Sequence, residues 1–321
     1  MPAIKFLKDS KWKMMEQSLT LEPKNKALRT KFYLHCESIL QGNGYYQKRD
    51  LFLRDYNPVI YEDFDTTKIL GKEMISRGPL NWRQSQKFAL FAGAADLFGA
   101  MVQKPISILV EEKFDLNVVN LSIGGASIEL FADDRSNFIE IANSAEFVCL
   151  GVTSLRSIAP IGLDDVFGKK RLSKHLQTGE LLNTRKYLVT LFRQDRKEFI
   201  SKIKSIMEKK ISAYKYLKKK IKVPIFLFYL PNKPFPLSQD LDSFKKINLK
   251  GFPHFVTNDY LEELSKLFGG IIKPETTSGF NFATDRFSNE KITWHNGKYE
   301  GNYYPATETH EEVFFQFASR L

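Results

Sequence analysis

The chain has 321 residues, 43% hydrophobic and 26% charged, with a net charge of +11 at pH 7. That balance excludes a disordered protein, and no run approaches the ~18 apolar residues that a membrane-spanning helix needs. Cys36 and Cys149 offer neither a disulfide framework nor zinc spacing, and MPAIKFLKDSKWKMM lacks a signal-peptide core, so cytoplasmic residence is expected.

Residues 1–75 are polar and aromatic, with a helix expected over 25–40 and too little apolar periodicity for a core of their own. They read as an N-terminal extension packed on the main domain. KFALFAG (87–93) is a buried strand, 104–114 a helix with Pro105 in its first turn, and NVVNLSI (117–123) the second strand. A helix over 136–143 leads to a third strand, AEFVCLGV (145–152). Helical text then runs from 182 to 222, interrupted near Gln194-Asp195. VPIFLFYLP (223–231) is the clearest strand, a continuous apolar run of the kind that a parallel strand buried on both faces requires. Next come an amphipathic helix over 258–268 with Asn258 or Asp259 as its cap, a short fifth strand GGIIKP (269–274), a loop or small hairpin over 278–304, and a closing helix from near Thr309. The β-α-β-α order predicts a three-layer, flavodoxin-like α/β domain over 76–321, with a parallel sheet of about five strands and a helical insertion at about 155–222. Ligands of such folds bind beyond the carboxyl ends of the strands.

The loops at those ends are FAGAADLFG (91–99), NLSIGGAS (120–127) and LGVTSLRS (150–157), joined by YYPATETHEE (303–312) before the last helix. In this order and spacing they resemble the blocks of the SGNH/GDSL hydrolase superfamily. The first, Gly-Asp-Ser-x-x-x-Gly, is met by Gly93 and Gly99, with Ala94 and Ala95 at the Asp and Ser positions. The second, Asn-Leu-Gly-x-x-Gly-Ala, is met by Asn120, Leu121 and Ser122, then Gly124, Gly125 and Ala126. Gly151-Val152-Thr153-Ser154 stands for Gly-x-Asn-Asp, and Thr307 with His310 for Asp-x-x-His. Within that superfamily the chain is most similar to a bacterial family with no assigned activity, through Arg77-Gly78-Pro79, a glycine loop without serine, and a terminal His-Glu helix.

The resemblance implies a hydrolase-like crevice stripped of its nucleophile. Ser-His chemistry needs a hydroxyl within reach of an imidazole that a carboxylate orients; Ala95 has no hydroxyl and Thr307 no charge. The catalytic candidates are His310 as general base and Asp96 as an auxiliary carboxylate. The ligand-binding candidates are Gly93, Ala95, Gly124 and Gly125 through their backbone, Thr153, and Arg77 with Arg156 as anion clamps. Each also has a plainer role: Asp96 capping a turn, His310 packing at a helix start, the arginines in ion pairs, and Ser122, Ser127 and Ser154 as caps rather than substitute nucleophiles. The lysine-rich 196–222 stretch is a solvated helix face or an attraction for anions, and with no nucleic-acid motif beside it no nucleic-acid partner is expected. His35, His175, His254 and His295 lack ligand spacing, so neither a metal nor a cofactor is expected.

These residues leave three functions open. One is small-group transfer or hydrolysis on a carbohydrate or other polar metabolite, in polysaccharide biosynthesis or modification. The second is a non-catalytic pseudoenzyme that holds a small-molecule or glycan ligand, anionic ligands included. The third is a transferase with an anionic donor such as a nucleotide-linked sulfate or coenzyme A. Oligomeric state stays open. Because the carboxylate that would orient the histidine is missing along with the serine, Ala95→Ser is expected to leave turnover of an activated ester such as p-nitrophenyl acetate at the wild-type level. A large gain would show that an intact charge relay waits at that position.

Overall fold

Alternation of side chains along a few short apolar runs decides the architecture. The computed structural model describes residues 64–77, 82–83, 87–99, 102–122, 126–134, 137–155, 163–165, 172–231, 253, 255–275, 293–294, 299–300 and 305–321. The helix expected at 25–40, Gly124, Gly125 and Arg156 lie outside these residues. The described chain opens with an antiparallel hairpin, β1 (Phe64–Ile69) and β2 (Lys72–Arg77), that spans the expected boundary between extension and domain. Ser76 ties it down: its Oγ receives the backbone N–H of Asn120 at 2.8 Å.

The central sheet comprises β3 (Phe88–Ala92), β4 (Asn117–Asn120), β5 (Phe147–Gly151) and, after the insertion, a strand at Ile225–Phe228. All its pairings are parallel, in the order β4, β3, β5, then Ile225–Phe228. The expected fifth strand contributes one bridge, Ile272 to Phe228. Counted along the chain this is the order 2-1-3-4-5 of flavodoxin-like folds. Between β3 and β4 lie α1 (Ala95–Phe98) and α2 (Ile106–Phe114); between β4 and β5 lie α3 (Ile128–Phe131) and α4 (Phe138–Asn143).

Instead of an all-helical insertion, a second, antiparallel sheet forms from β6 (Leu163–Asp165), β7 (Leu172–His175) and β8 (Leu181–Asn183). Its strands are three or four residues long. That is too short for a two-residue period to show, and the turn at 176–179 was the legible signal. Then come α5 (Thr184–Gln194) and α6 (Arg196–Lys220), broken where Asp195 caps α6 by accepting the Glu198 N–H at 2.9 Å. The strand at Ile225–Phe228 is β9, followed by α7 (Asn258–Phe268), a β10–β11 hairpin (Thr293–Trp294, Tyr299–Glu300) and α8 (Thr307–Ala318). Thr257, not Asn258 or Asp259, caps α7, because the cap must be extended (φ −111°, ψ 163°) and its Oγ1 must reach the Tyr260 N–H.

Odd and even residues of each strand enter different cores. Ala89, Phe91, Val118, Phe147, Cys149 and Phe228 meet α2 and α8. Phe88, Leu90, Ala92, Val119, Val148, Leu150 and Leu227 meet α3, α4, α6 and α7 on the other face. Crossovers moving one way along the sheet thus lie on one face and those moving back on the other, as right-handed connections demand. Among the described residues, no helix is long and apolar enough to cross a membrane.

Phe317 of α8 holds the first core together. It is fully buried, with ring centroids 5.0 Å from Phe226, 5.3 Å from Phe228, 5.6 Å from Phe147 and 6.2 Å from Phe114. Phe317→Ala is expected to cost about 3–5 kcal/mol of stability in urea denaturation. Phe315, two residues earlier and 69% exposed, should tolerate the same change within about 0.5 kcal/mol.

Candidate functional site

The sheet order reverses between β3 and β5, and there the two strand ends meet as bare backbone. A Cβ on Gly93 would lie 3.2 Å from the Gly151 Cα and 3.1 Å from Leu97 Cδ2. A side chain at Gly93 would crowd Leu97, which folds down between the strand ends as α1 begins. Gly99 closes α1 with φ +67°, and a Cβ there would collide with the Pro105 ring. Gly93 and Gly99, the surviving glycines of the first block, are therefore explained by packing and turn geometry. Ala95, 3% exposed, is the first residue of α1 and adds no reactive atom.

Asp96 is the next residue and is 1% exposed, with no hydrogen-bond partner on either carboxylate oxygen. Burial raises its pKa from 3.8 to about 7, against the pull of its own and Leu97's backbone N–H groups. Those two N–H groups lie beside the carboxylate, short of full hydrogen-bond geometry. Asp96 faces Tyr229, just past β9, whose phenol is pushed up by burial and then by the Asp96 charge. It does not cap the turn.

His310 goes elsewhere. Its ring is fully buried where α8 crosses the start of α2, 3.6 Å (Cε1) from where a Gly99 Cβ would stand. Nδ1 accepts the Ile106 N–H at 3.2 Å, which satisfies a donor of the first turn of α2. That bond assigns the proton to Nε2, which has no partner. Burial, then the nearby Arg77 charge, lowers the imidazole pKa from 6.5 to about 3. In this tautomer the ring has no lone pair left with which to act as the expected general base; it is a fixed N–H donor. Neither Asp96 oxygen bonds the imidazole, so the two catalytic candidates are not a hydrogen-bonded pair.

Arg77, 5% exposed, donates from Nη2 to the Val102 carbonyl at 3.0 Å and lies over the Phe98 ring, 5.7 Å from its centroid. Asn120 ends β4 as a polar hub. Its Nδ2 donates to the Leu97 carbonyl (3.1 Å) and Ser107 Oγ (3.2 Å), and its Oδ1 accepts the Ser122 N–H (3.0 Å). The Ser122 hydroxyl beyond it is fully buried and unpartnered.

A second polar cluster joins Thr153 and Ser127 to Lys210, Glu129 and Tyr214, which the sequence did not single out. Lys210 of α6, fully buried, donates to the Ser127 hydroxyl, to Thr153 Oγ1 at 3.3 Å and to Glu129 Oε2 at 3.4 Å. Ser127 donates in turn to Glu129 Oε2. Tyr214 of α6 donates to the Gly151 carbonyl at 2.6 Å and accepts the Thr153 N–H at 3.2 Å. Thr153, at the asparagine position of the third block, thus belongs to the Lys210 cluster and not to Asp96 or His310. The legible signal was the place of Lys210 in the helix: Phe199, Ile203, Ile206, Lys210, Ala213, Tyr214 and Leu217 form the buried stripe, and one lysine interrupts it. Among the described residues no group of three or more His, Cys, Asp or Glu converges as a metal site.

Residues 61–158 match a family described as a domain of unknown function (DUF6473). No curated protein matches the chain. Among solved structures the chain is similar to the lipase Lip_vut3 from a goat rumen metagenome, at 12% identity and a TM-score of 0.40, over 73% of this chain and 96% of that one. It is also similar to a carbohydrate esterase family 2 enzyme with a carbohydrate-binding domain from Corynascus thermopiles (Myceliophthora fergusii). There the identity is 9% and the TM-score 0.40, over 78% of this chain and 70% of that one.

Asp96 and His310 give opposite pH dependences. Between 3.8 and about 7 the folded state holds an Asp96 proton that the unfolded chain has lost, so stability falls as pH rises through that window. Between about 3 and 6.5 the unfolded chain binds a His310 proton that the folded state refuses, so stability rises with pH there and is complete above 6.5. Each amounts to on the order of 4 kcal/mol, and over their shared window they offset each other. Asp96→Asn is expected to raise the melting temperature at pH 8, with the gain fading by pH 4, and to expose the rising His310 limb. His310→Gln keeps an acceptor for Ile106 and should expose the falling Asp96 limb. Melting curves from pH 4 to 8 test both, and an Asp96→Asn difference independent of pH would refute the assignment.

Proposed function

We propose that this protein acts on a carbohydrate or other polar metabolite at the carboxyl ends of β3, β4 and β5, with Asp96 as the group that exchanges the proton. The observation that carries this reading is the Asp96 carboxylate: 1% exposed, unpartnered at both oxygens and poised at about 7. General acid–base work at neutral pH needs such a group, since its protonation state and driving force are then both favourable. Leaving a buried carboxylate without partners costs stability, and a ligand that supplies the missing donors repays that cost only when bound. The unpartnered Ser122 hydroxyl and His310 Nε2–H are further buried polar groups in the surrounding loops and helix contacts. Polyhydroxylated ligands, which offer donors and acceptors on every side, suit groups of this kind. Arg77 supplies the positive potential that favours an anionic substituent.

A non-catalytic binding role is the second reading, favoured by the methyl side chain of Ala95 and by the engaged Nδ1 of His310. Turnover of a panel of methyl glycosides and sugar esters, followed by NMR, separates the two. With Asp96 as the base, the rate rises through pH 7, and Asp96→Asn lowers kcat by ~100-fold or more while binding changes only a few-fold. A pseudoenzyme turns over none of the panel, although ligands still raise its melting temperature with concentration.

A further inference from the structure

We infer that Ser127 is a nucleophile for acyl transfer, with Glu129 as its proton acceptor and Lys210 as the cation beside it, so that the hydroxyl absent at Ala95 is supplied from the loop after β4. The inference rests on the strand-end crevice being the working site, as proposed above, but not on Asp96.

Ser127 stands at the N-cap of α3, where a serine ordinarily turns its hydroxyl onto the helix N–H groups; here it makes no such bond. The hydroxyl instead donates to Glu129 Oε2 and receives Lys210 Nζ. A hydroxyl that donates to a carboxylate while a cation lies against its oxygen is arranged to ionise. Lys210 is fully buried, flanked along the inward face of α6 by Ile206, Ala213 and the Tyr214 ring. Removing an ammonium from water is expensive, and structural packing alone does not call for one in that stripe. Two buried groups in the cluster retain free valence: Glu129 Oε1 and the Tyr260 hydroxyl have no hydrogen-bond partner. Burial pushes the Tyr260 phenol upward, and its neighbours are Tyr214, Glu129 and Thr153, so it stays an O–H donor aimed at the cluster. The Glu129 side chain, 28% exposed, lies at the outer edge of the cluster.

The substrate class is an ester of a polar alcohol. Ser127 Oγ attacks the carbonyl carbon and its proton passes to Glu129 Oε2. Lys210 and the Tyr260 O–H face the negative charge that develops. The C–O bond to the alcohol breaks and the alcohol leaves with the Glu129 proton. Water then attacks the acyl-serine, Glu129 takes its proton, and the carboxylic acid departs as Ser127 recovers its own. No other reactant is needed.

A fluorophosphonate probe tests this on the intact protein, with the modified peptide located by mass spectrometry. Stoichiometric labelling at Ser127 is expected, lost in Ser127→Ala, slowed ~100-fold or more in Lys210→Met and in Glu129→Gln, and kept in Ser212→Ala on the exposed side of α6. Mapping the label on the wild-type protein needs no variant to fold. No label on folded protein, or a label at Ser122 or Ser154, overturns the inference. A label at Ser127 together with full turnover by Asp96→Asn would sink the Asp96 reading and leave this one standing. Lost turnover in Asp96→Asn with Ser127 unlabelled would do the reverse.

Discussion

The contact between Gly93 and Gly151 is the constraint on which both polar clusters depend. β3 and β5 are neighbours in the sheet, but the chain leaves them toward opposite faces, and a side chain on either glycine would push the ends apart. With both positions bare, α1 starts directly beyond β3 and carries Asp96 inward, while the Gly151 carbonyl stays open to the Tyr214 hydroxyl. One close approach therefore sets two things: where the first loop turns, and how α6 registers against the third strand. Alanine at Gly93 crowds both the Gly151 backbone and Leu97, whereas alanine at Gly151 is tight only against the Gly93 backbone at 3.3 Å.

From that junction the site divides by face. On one side α8 brings His310 against α2, and the imidazole joins two helices by accepting a donor that the start of α2 could not otherwise satisfy. On the other side α6 brings Lys210 and Tyr214 to the loops after β4 and β5. The blocks of the SGNH/GDSL resemblance are therefore dispersed, the histidine to the α2/α8 face and Thr153 to the α6 face, with Asp96 between them facing Tyr229. Motif spacing along a chain records which loops share an edge of the sheet. It does not record toward which face each side chain turns.

The sheet was legible because its strands are continuous apolar runs and its helices carry clear stops, such as Asp195 between α5 and α6. The short antiparallel sheet was not, since three-residue strands such as Leu163–Asp165 leave no period to detect. The α7 cap fell one residue away from the expected asparagine because capping follows backbone conformation as well as residue type. Asp96 and His310 were picked out by type and position. Their roles depended on burial and on which ring nitrogen meets a donor, neither of which a sequence states. Lys210 was hidden for a different reason. A lysine among many in a basic helix looks like solvated surface until the apolar residues on either side show that it points inward.

Buried polarity without protein partners collects toward the strand ends. Asp96, Ser122, Tyr260 and the Nε2 of His310 are buried polar groups without partners, all in or packed against the loops and helices at the carboxyl end of the sheet. Each such group costs about 1–3 kcal/mol, against a net stability of roughly 5–15 kcal/mol for an ordinary domain. Sequences rarely keep several such costs together unless binding offsets them, and replacing any one by a residue of similar shape is an easy route to a more stable fold. Asn120 shows the opposite pattern at the same edge of the sheet, with its amide nitrogen donating twice and its oxygen accepting. Beside a polar group so fully engaged, Asp96, Ser122, Tyr260 and His310 Nε2 are among the groups that the fold itself leaves open.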